Sequence, residues 1–330
     1  MGRYTERLEA ERRKQEGRGR EADWPSQIPA VGWKDIAWRL WGSLNEDRVL
    51  LVAAGVTFYL LLALFPALAA LVSVYGLVAD PQTIANQISS IGGVVPPTVL
   101  DIVRAQLESL ARQDRNSLSF GFLIGLAVAL WGANSGIKAL FDAMNIAYEE
   151  REKRSFILLN FVSLTFTLCA IATAIFLLLV VGLVPAALAL LELGPVADAL
   201  LRYGRWVLLL VVIALGISLL YRFGPSREHA RWRWLSWGSG LAAIVWVAAS
   251  WAFSWYLQNF ADFNATYGSL GAVIGLLIWT WISMIVIIMG AEINAEMEHQ
   301  TARDSTTGMP QPIGARGAQV ADTLGRTAGE

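Results

Sequence analysis

Charge is scarce where most of this 330-residue chain lies. Asp, Glu, Lys and Arg make up 16% of the residues, against about 25% in soluble domains. Residues 1–48 hold 19 of the 53 charged groups and residues 292–330 hold 9, which leaves 25 for the 243 residues of 49–291. That is too few to solvate a water-facing surface of such size, so a pair of soluble domains is excluded. Cysteine is limited to Cys169, so neither an intrachain disulfide nor a CxxC metal site can form. Histidine is limited to His229 and His299, both in charged segments outside the apolar runs, which leaves zinc chemistry and His-based hydrolysis poorly supplied. No GxxxxGK[ST] run is present, so the chain carries no phosphate-binding loop for ATP. Residues 1–30 lack the apolar stretch of a signal peptide, and the first apolar run is expected to serve as its own insertion signal. No metal, no other cofactor and no enzymatic activity are expected.

What the chain has in excess is apolar length. The residues AVILMFWYC make up 55% of it and its mean hydropathy is +0.48. Six runs of at least about 19 residues with few or no charges meet the length needed to cross hydrocarbon: 49–79, 118–137, 156–183, 205–223, 234–257 and 269–291. A backbone in that solvent must bond to itself, so the runs are helices. The fold class is an all-α membrane protein, a six-transmembrane-helix bundle with amphipathic interfacial helices.

Basic residues set the topology. The N-terminal segment, the loops 138–155 and 224–233 with Arg222, and the C-terminal segment share one side and hold 21 Lys and Arg; the opposite loops hold 5. Both termini are therefore expected in the cytoplasm, with the protein in the bacterial inner membrane.

The flanks divide the chain further. Residues 1–30 form a charged tail expected to be disordered, 31–299 the membrane domain, and 300–330 a second disordered tail rich in Gly, Thr, Ala and Gln. Trp33, Ala37, Leu40, Trp41 and Leu44 follow helical spacing, with Lys34, Asp35, Arg39 and Asn45 elsewhere on the wheel, which predicts a helix lying at the interface. A second amphipathic helix is expected within 81–117, on Val99, Leu100, Val103, Leu107 and Leu110. Pro185 is expected to break the third span, with a short helix following it.

Several positions carry candidate function. Pro66 in the middle of the long first span frees the Leu62 carbonyl and predicts a kink, hence a hinge or cavity. Asn134, Lys138 and Asp142 are spaced i, i+4, i+8 along one face at the end of the second span. Glu292 closes the otherwise uncharged sixth span, followed by Asn294. A carboxylate so near hydrocarbon needs a partner or water, and Lys138 is the expected partner. Asn134, Lys138, Asp142, Glu292 and Asn294 are therefore candidates for lining a substrate path. Gly132 and Gly136, and Gly268 and Gly271, are candidates for close helix packing.

Ala53-Ala54-Gly55-Val56-Thr57-Phe58-Tyr59 with Leu64-Phe65-Pro66 forms the first part of a wider pattern. Leu130-Trp131-Gly132-Ala133-Asn134 leads to Phe141-Asp142-Ala143-Met144-Asn145, and Tyr267-Gly268-Ser269-Leu270-Gly271 precedes Gly290-Ala291-Glu292-Ile293-Asn294-Ala295-Glu296. In order and over about residues 35–298, these segments resemble the YihY/BrkB family of bacterial inner-membrane proteins. The resemblance implies a link to resistance to serum killing and, in one branch, to export of lipid or lipopolysaccharide. Some members carry a ribonuclease BN label, which these residues do not support: the loops offer neither gathered metal ligands nor a basic track for nucleic acid. The expected function is transport of a lipid-like or envelope-related amphiphile through a cavity beside the kinked first span. The alternative is a non-transporting scaffold or envelope-integrity factor. Membrane lipids are the expected partners, a homo-oligomer is left open, and nucleic acid is not expected.

Overall fold

The computed structural model describes residues 17–78, 115–189, 195–259 and 270–328. Six long helices carry the apolar runs: α2 (Val49–Val78), α3 (Arg115–Ala147), α4 (Phe156–Ala189), α5 (Pro195–Phe223), α6 (Trp232–Asn259) and α7 (Gly271–Gln300). A shorter α1 (Ala30–Glu46) precedes them and a single turn, α8 (Gln319–Asp322), follows. Among the described residues there is no strand, only one isolated bridge between Ala230 and Thr306. The helices α3 to α7 are each long and apolar enough to cross a membrane, and a sixth span is counted when α1 and Val49–Leu64, which meet at 58°, are taken together. Side chains such as Phe156 and Ile157, each 80% exposed, stand outward, as they would against lipid rather than water. This is an all-α membrane bundle.

The prolines behave differently from expectation at one place. Pro66 lies inside α2, which runs on to Val78. Pro185 does not break the third span, because α4 continues through it to Ala189. Neighbouring groups in a bundle can satisfy the carbonyl that a proline frees. Pro195 instead opens α5, at the first helical position where its missing N–H costs nothing. The second amphipathic helix expected within 81–117 lies outside the described residues, apart from the start of α3.

Among the described residues, the main buried cluster sits at one end of the bundle. The buried cluster draws on Val49, Ala53 and Val56 of α2, Phe141 and Met144 of α3, Ile217 and Tyr221 of α5, Leu235 and Ala242 of α6, and Ile288 and Ala291 of α7. Gly132 and Gly136 bring α3 against α2: a Cβ on either would meet Ala63 or Leu60 at 3.0 Å. Gly271 opens α7 and is buried; Gly268 lies outside the described residues.

The same end carries the described parts of both terminal segments. Composition leads one to expect disordered tails over 1–30 and 300–330, yet the described parts of both pack on the bundle. Arg20 donates to the carbonyls of His299, Gln300 and Gly325, and the Ala302 N–H returns a bond to the Arg20 carbonyl. Arg316, 5% exposed, donates to the Ala302, Arg303, Gln311 and Ala321 carbonyls. Guanidinium groups binding free carbonyls hold this cap together, in place of the apolar burial that composition measures. Loops 148–155 and 224–231 join it, with Arg154 donating to the Phe223 and Gly224 carbonyls and the Gln319 N–H donating to Glu150.

Within α1 two charged residues face inward, while Lys34, Asn45 and Glu46 stay exposed. Asp35 and Arg39 are buried, while Trp38 and Trp41 are 48% and 73% exposed. Asp35 accepts two bonds from Arg18 at 2.7 Å and one from the Ala328 N–H, and Arg39 pairs with Glu296. Trp38 and Trp41 are thus left outward, where an interfacial helix needs them, while Trp33 packs against the buried cluster of Ile28 and Ile36.

Candidate functional site

A cavity of about 390 Å3 lies beside α2, on its Thr57–Leu64 stretch, and is closed by α5, α6 and α7. A second hollow of about 350 Å3 shares Thr57, Leu61 and Leu277 with it and extends along the α2–α7 seam. The walls are leucine, isoleucine, methionine and tryptophan with three hydroxyls, those of Thr57, Thr280 and Ser283. Each hydroxyl is already engaged: Thr57 donates to the Ala53 carbonyl, Thr280 to Leu276 and Ser283 to Trp279, all at 2.8 Å. The indole N–H groups of Trp246 and Trp279 donate to Ser283 and Ser250. With its polar atoms satisfied internally, the wall presents an apolar surface, and such cavities take apolar ligands.

The candidate path residues do not line this cavity. They divide between two places. Lys138 donates to Asn160 Oδ1 on α4 at 2.5 Å, so the expected Lys138–Glu292 pair is not formed. Asn160 sits one turn into α4, close enough to receive an ammonium that would otherwise face hydrocarbon. Asp142 is exposed on the same face of α3, and the Asn134 Oδ1 is buried without a hydrogen-bond partner.

Glu292 and Asn294 lie in the packed end. Asn294 is fully buried; its Oδ1 accepts the Gly238 N–H at 3.0 Å and fills the space a Cβ on Gly238 would need. Its role is to join α7 to α6. Glu292 is 2% exposed and its Oε1 has no hydrogen-bond partner. The charged groups facing it are Asp47, Glu296 and Glu149, all acidic. Asp47 occupies the elbow between α1 and α2, where Arg48 takes a left-handed backbone with φ of 49°. Burial, followed by Glu149, Glu46 and Glu296, pushes the Asp47 carboxyl up to about 6.

Sequence reasoning missed Asp47, Tyr148, Arg39 and Arg227 as parts of this end. The Tyr148 hydroxyl is fully buried, with the Arg227 guanidinium 5.0 Å from its ring centre. Charges beside an apolar run were the available signal, but their partners lie tens to hundreds of residues away. Among the described residues no three of His, Cys, Asp and Glu gather into a group able to hold a metal ion.

The chain is similar to known proteins along most of its length. It is 32% identical to YfkH of Bacillus subtilis, named a ribonuclease-like protein, over 74% of this chain and 88% of that one. A membrane protein of Tolumonas auensis, named UPF0761, is 26% identical over 78% of this chain and 83% of its own length. Its namesake in Haemophilus influenzae is 20% identical over 81% and 97%. No solved structure matches. The sequence profile described as virulence factor BrkB matches residues 40–313, and the chain belongs to that family of membrane proteins.

Proposed function

We propose that the protein moves a lipid-like or envelope-related amphiphile across the bacterial inner membrane, with both termini in the cytoplasm. The observation that carries this reading is the cavity at the α2–α7 seam, about 390 Å3, within the range of small-molecule sites. A wall whose hydroxyls and indoles are all spent on internal bonds suits an alkyl chain and offers little to a sugar or an ion. The 21 to 5 bias of Lys and Arg toward the end that carries the termini supports the orientation. The ribonuclease-like name of the Bacillus relative finds no support in a gathered set of metal ligands among the described residues.

The test is movement of a fluorescent phospholipid between leaflets in proteoliposomes holding the full-length protein. Leu61 borders both hollows, so Leu61→Trp fills them. Wild type is expected to exceed protein-free vesicles, and the variant to lose about tenfold in rate, equal to about 1.4 kcal/mol in barrier. Equal rates in wild type, variant and empty vesicles refute the reading.

The scaffold alternative draws on the exposed stretch 307–315, where Met309 is 83% and Ile313 48% exposed. Met309→Asp with Ile313→Asp separates the two readings, because these side chains stand away from the packed bundle. A scaffold loses partner capture in the double variant, whereas a transporter keeps its rate.

A further inference from the structure

Five carboxylates among the described residues are buried: Asp35, Glu292, Glu296, Glu298 and Asp304. Four of them have donors. Arg18 and the Ala328 N–H serve Asp35, and Arg39 serves Glu296. Arg227 and Ser305 serve Glu298, while backbone N–H groups of Thr306 and Gln311 serve Asp304. Glu292 is the exception, and its Oε1 is closed off from solvent.

Most cations on the surrounding elements are engaged with other groups, and none among the described residues forms an ion pair with Glu292. From α1, Arg39 is committed to Glu296, the Gln300 side chain and the Arg326 carbonyl. From α3, Lys138 is committed to Asn160, and the end of the helix brings Tyr148 and Glu149. The elbow before α2 adds Asp47. From α6, Arg233 lies over the Trp24 ring at 5.1 Å. On α7 itself, Glu296 faces Glu292, and His299 lies 3.8 Å from Glu296. Asp322 of α8 accepts backbone bonds from Gly314 and Arg316.

An ionised carboxylate 2% exposed among acidic neighbours is costly, whereas a protonated one costs only what any buried hydroxyl does. A second polar group, the fully buried Tyr148 hydroxyl, is set beside Asn294 and Glu292. The neighbouring carboxylates do not converge on a point where a divalent ion could sit. Of its acidic neighbours, Asp47 is half-buried and Glu149 is exposed to solvent. Along α7, Glu292 lies eight residues beyond Met284, which lines the cavity, about 12 Å below it at 1.5 Å per residue.

We propose that Glu292 is a proton-binding site at the cytoplasmic end of the bundle, and that its proton drives the amphiphile held in the cavity above. The second half rests on the transport reading; the first does not. On loading, one Glu292 carboxylate oxygen takes a proton arriving by way of Asp47 or Glu149 and becomes a neutral carboxylic acid. On release the proton returns to water and the negative charge reappears beneath the cavity.

Infrared titration of the full-length protein in lipid nanodiscs tests the site without any substrate. At pH 7 wild type is expected to show a protonated-carboxyl band that Glu292→Gln lacks and Glu292→Asp displaces. Gln matches the neutral acid in size, so that variant is expected to fold. A spectrum unchanged in Glu292→Gln overturns the site, as does a band that sodium chloride removes and choline chloride does not. In proteoliposomes a pH gradient is expected to raise wild-type phospholipid movement about tenfold and to leave Glu292→Gln unmoved. A band with no gradient effect overturns the coupling alone. Gradient-independent movement without the band overturns the site and leaves the transport reading standing.

Discussion

Arg227 and Glu298 form a two-pronged ion pair at 3.1 and 2.7 Å, with side chains only 2% and 0% exposed. It ties the loop between α5 and α6 to the last turn of α7, and Ser305 adds a third bond at 2.6 Å. The pair lies where the cap meets the bundle, so it links the two.

Removing one partner leaves a buried charge uncompensated, which costs about 3–5 kcal/mol. Arg227→Leu is therefore expected to lower the melting temperature of the detergent-solubilised protein strongly. The double variant Arg227→Leu with Glu298→Leu recovers part of the loss. Thermal unfolding of both variants checks the sign of that coupling.

The α2–α3 seam depends on glycine. In Gly132→Leu the side chain must enter space held by the backbone and Cβ of Ala63. Overpacking of this kind costs about 1–3 kcal/mol. Gly136→Ala meets the flexible end of Leu60 and is expected to cost less. Comparing the two melting temperatures tests whether the closeness is set by backbone at one position and by a movable side chain at the other.

Gly238 makes the equivalent contact between α6 and α7. Gly238→Ala places a methyl on the Asn294 amide and displaces its bond to the Gly238 N–H. Destabilisation is expected, together with faster amide exchange over 235–239. The pair Gly238→Ala with Asn294→Ala relieves the clash, so exchange in the double variant should fall below that of the single one.

Two exposed-side carboxylates give opposite pH dependences. Burial alone would raise Glu152, but bonds from the Arg154 side chain and backbone and from Asn145 hold its carboxyl down, at about 2 against 4.5 unfolded. Its contribution is present above pH 4.5 and lost as pH falls toward 2. Asp47 is raised to about 6 against 3.8 unfolded, so its contribution is present below 3.8 and lost as pH rises through 6. Glu152→Gln is expected to flatten the acid limb of stability, and Asp47→Asn to stabilise at pH 8 and not at pH 3.5. Melting curves across pH 3–8 read both.

Much of this was legible in the residues. Five of the six long helices start within a few residues of where charge gives out, because hydrocarbon tolerates so little of it, whereas α5 starts ten residues earlier than its apolar run, at Pro195. α1 was legible as amphipathic, but the direction of its polar face was not. Asp35 and Arg39 turn inward because Arg18 and Glu296 meet them from 17 and 257 residues away, and no local pattern encodes that. For the same reason charge alone points Lys138 to Glu292, whereas its ammonium donates to Asn160, 22 residues on. The C-terminal segment read as disordered because it has few apolar residues, while arginine–carbonyl bonds organise it. The position of Glu292 as an exceptional carboxylate was legible; its acidic surroundings needed Asp47 and Glu149 brought in from other helices.

The most direct measurement is a density map of the full-length protein in a nanodisc of native lipids. The account predicts elongated density, one alkyl chain thick, between Leu61 of α2 and Trp246 of α6. A map in which Leu60, Ile213 and Met284 close on one another, leaving no space and no bound chain, would contradict it.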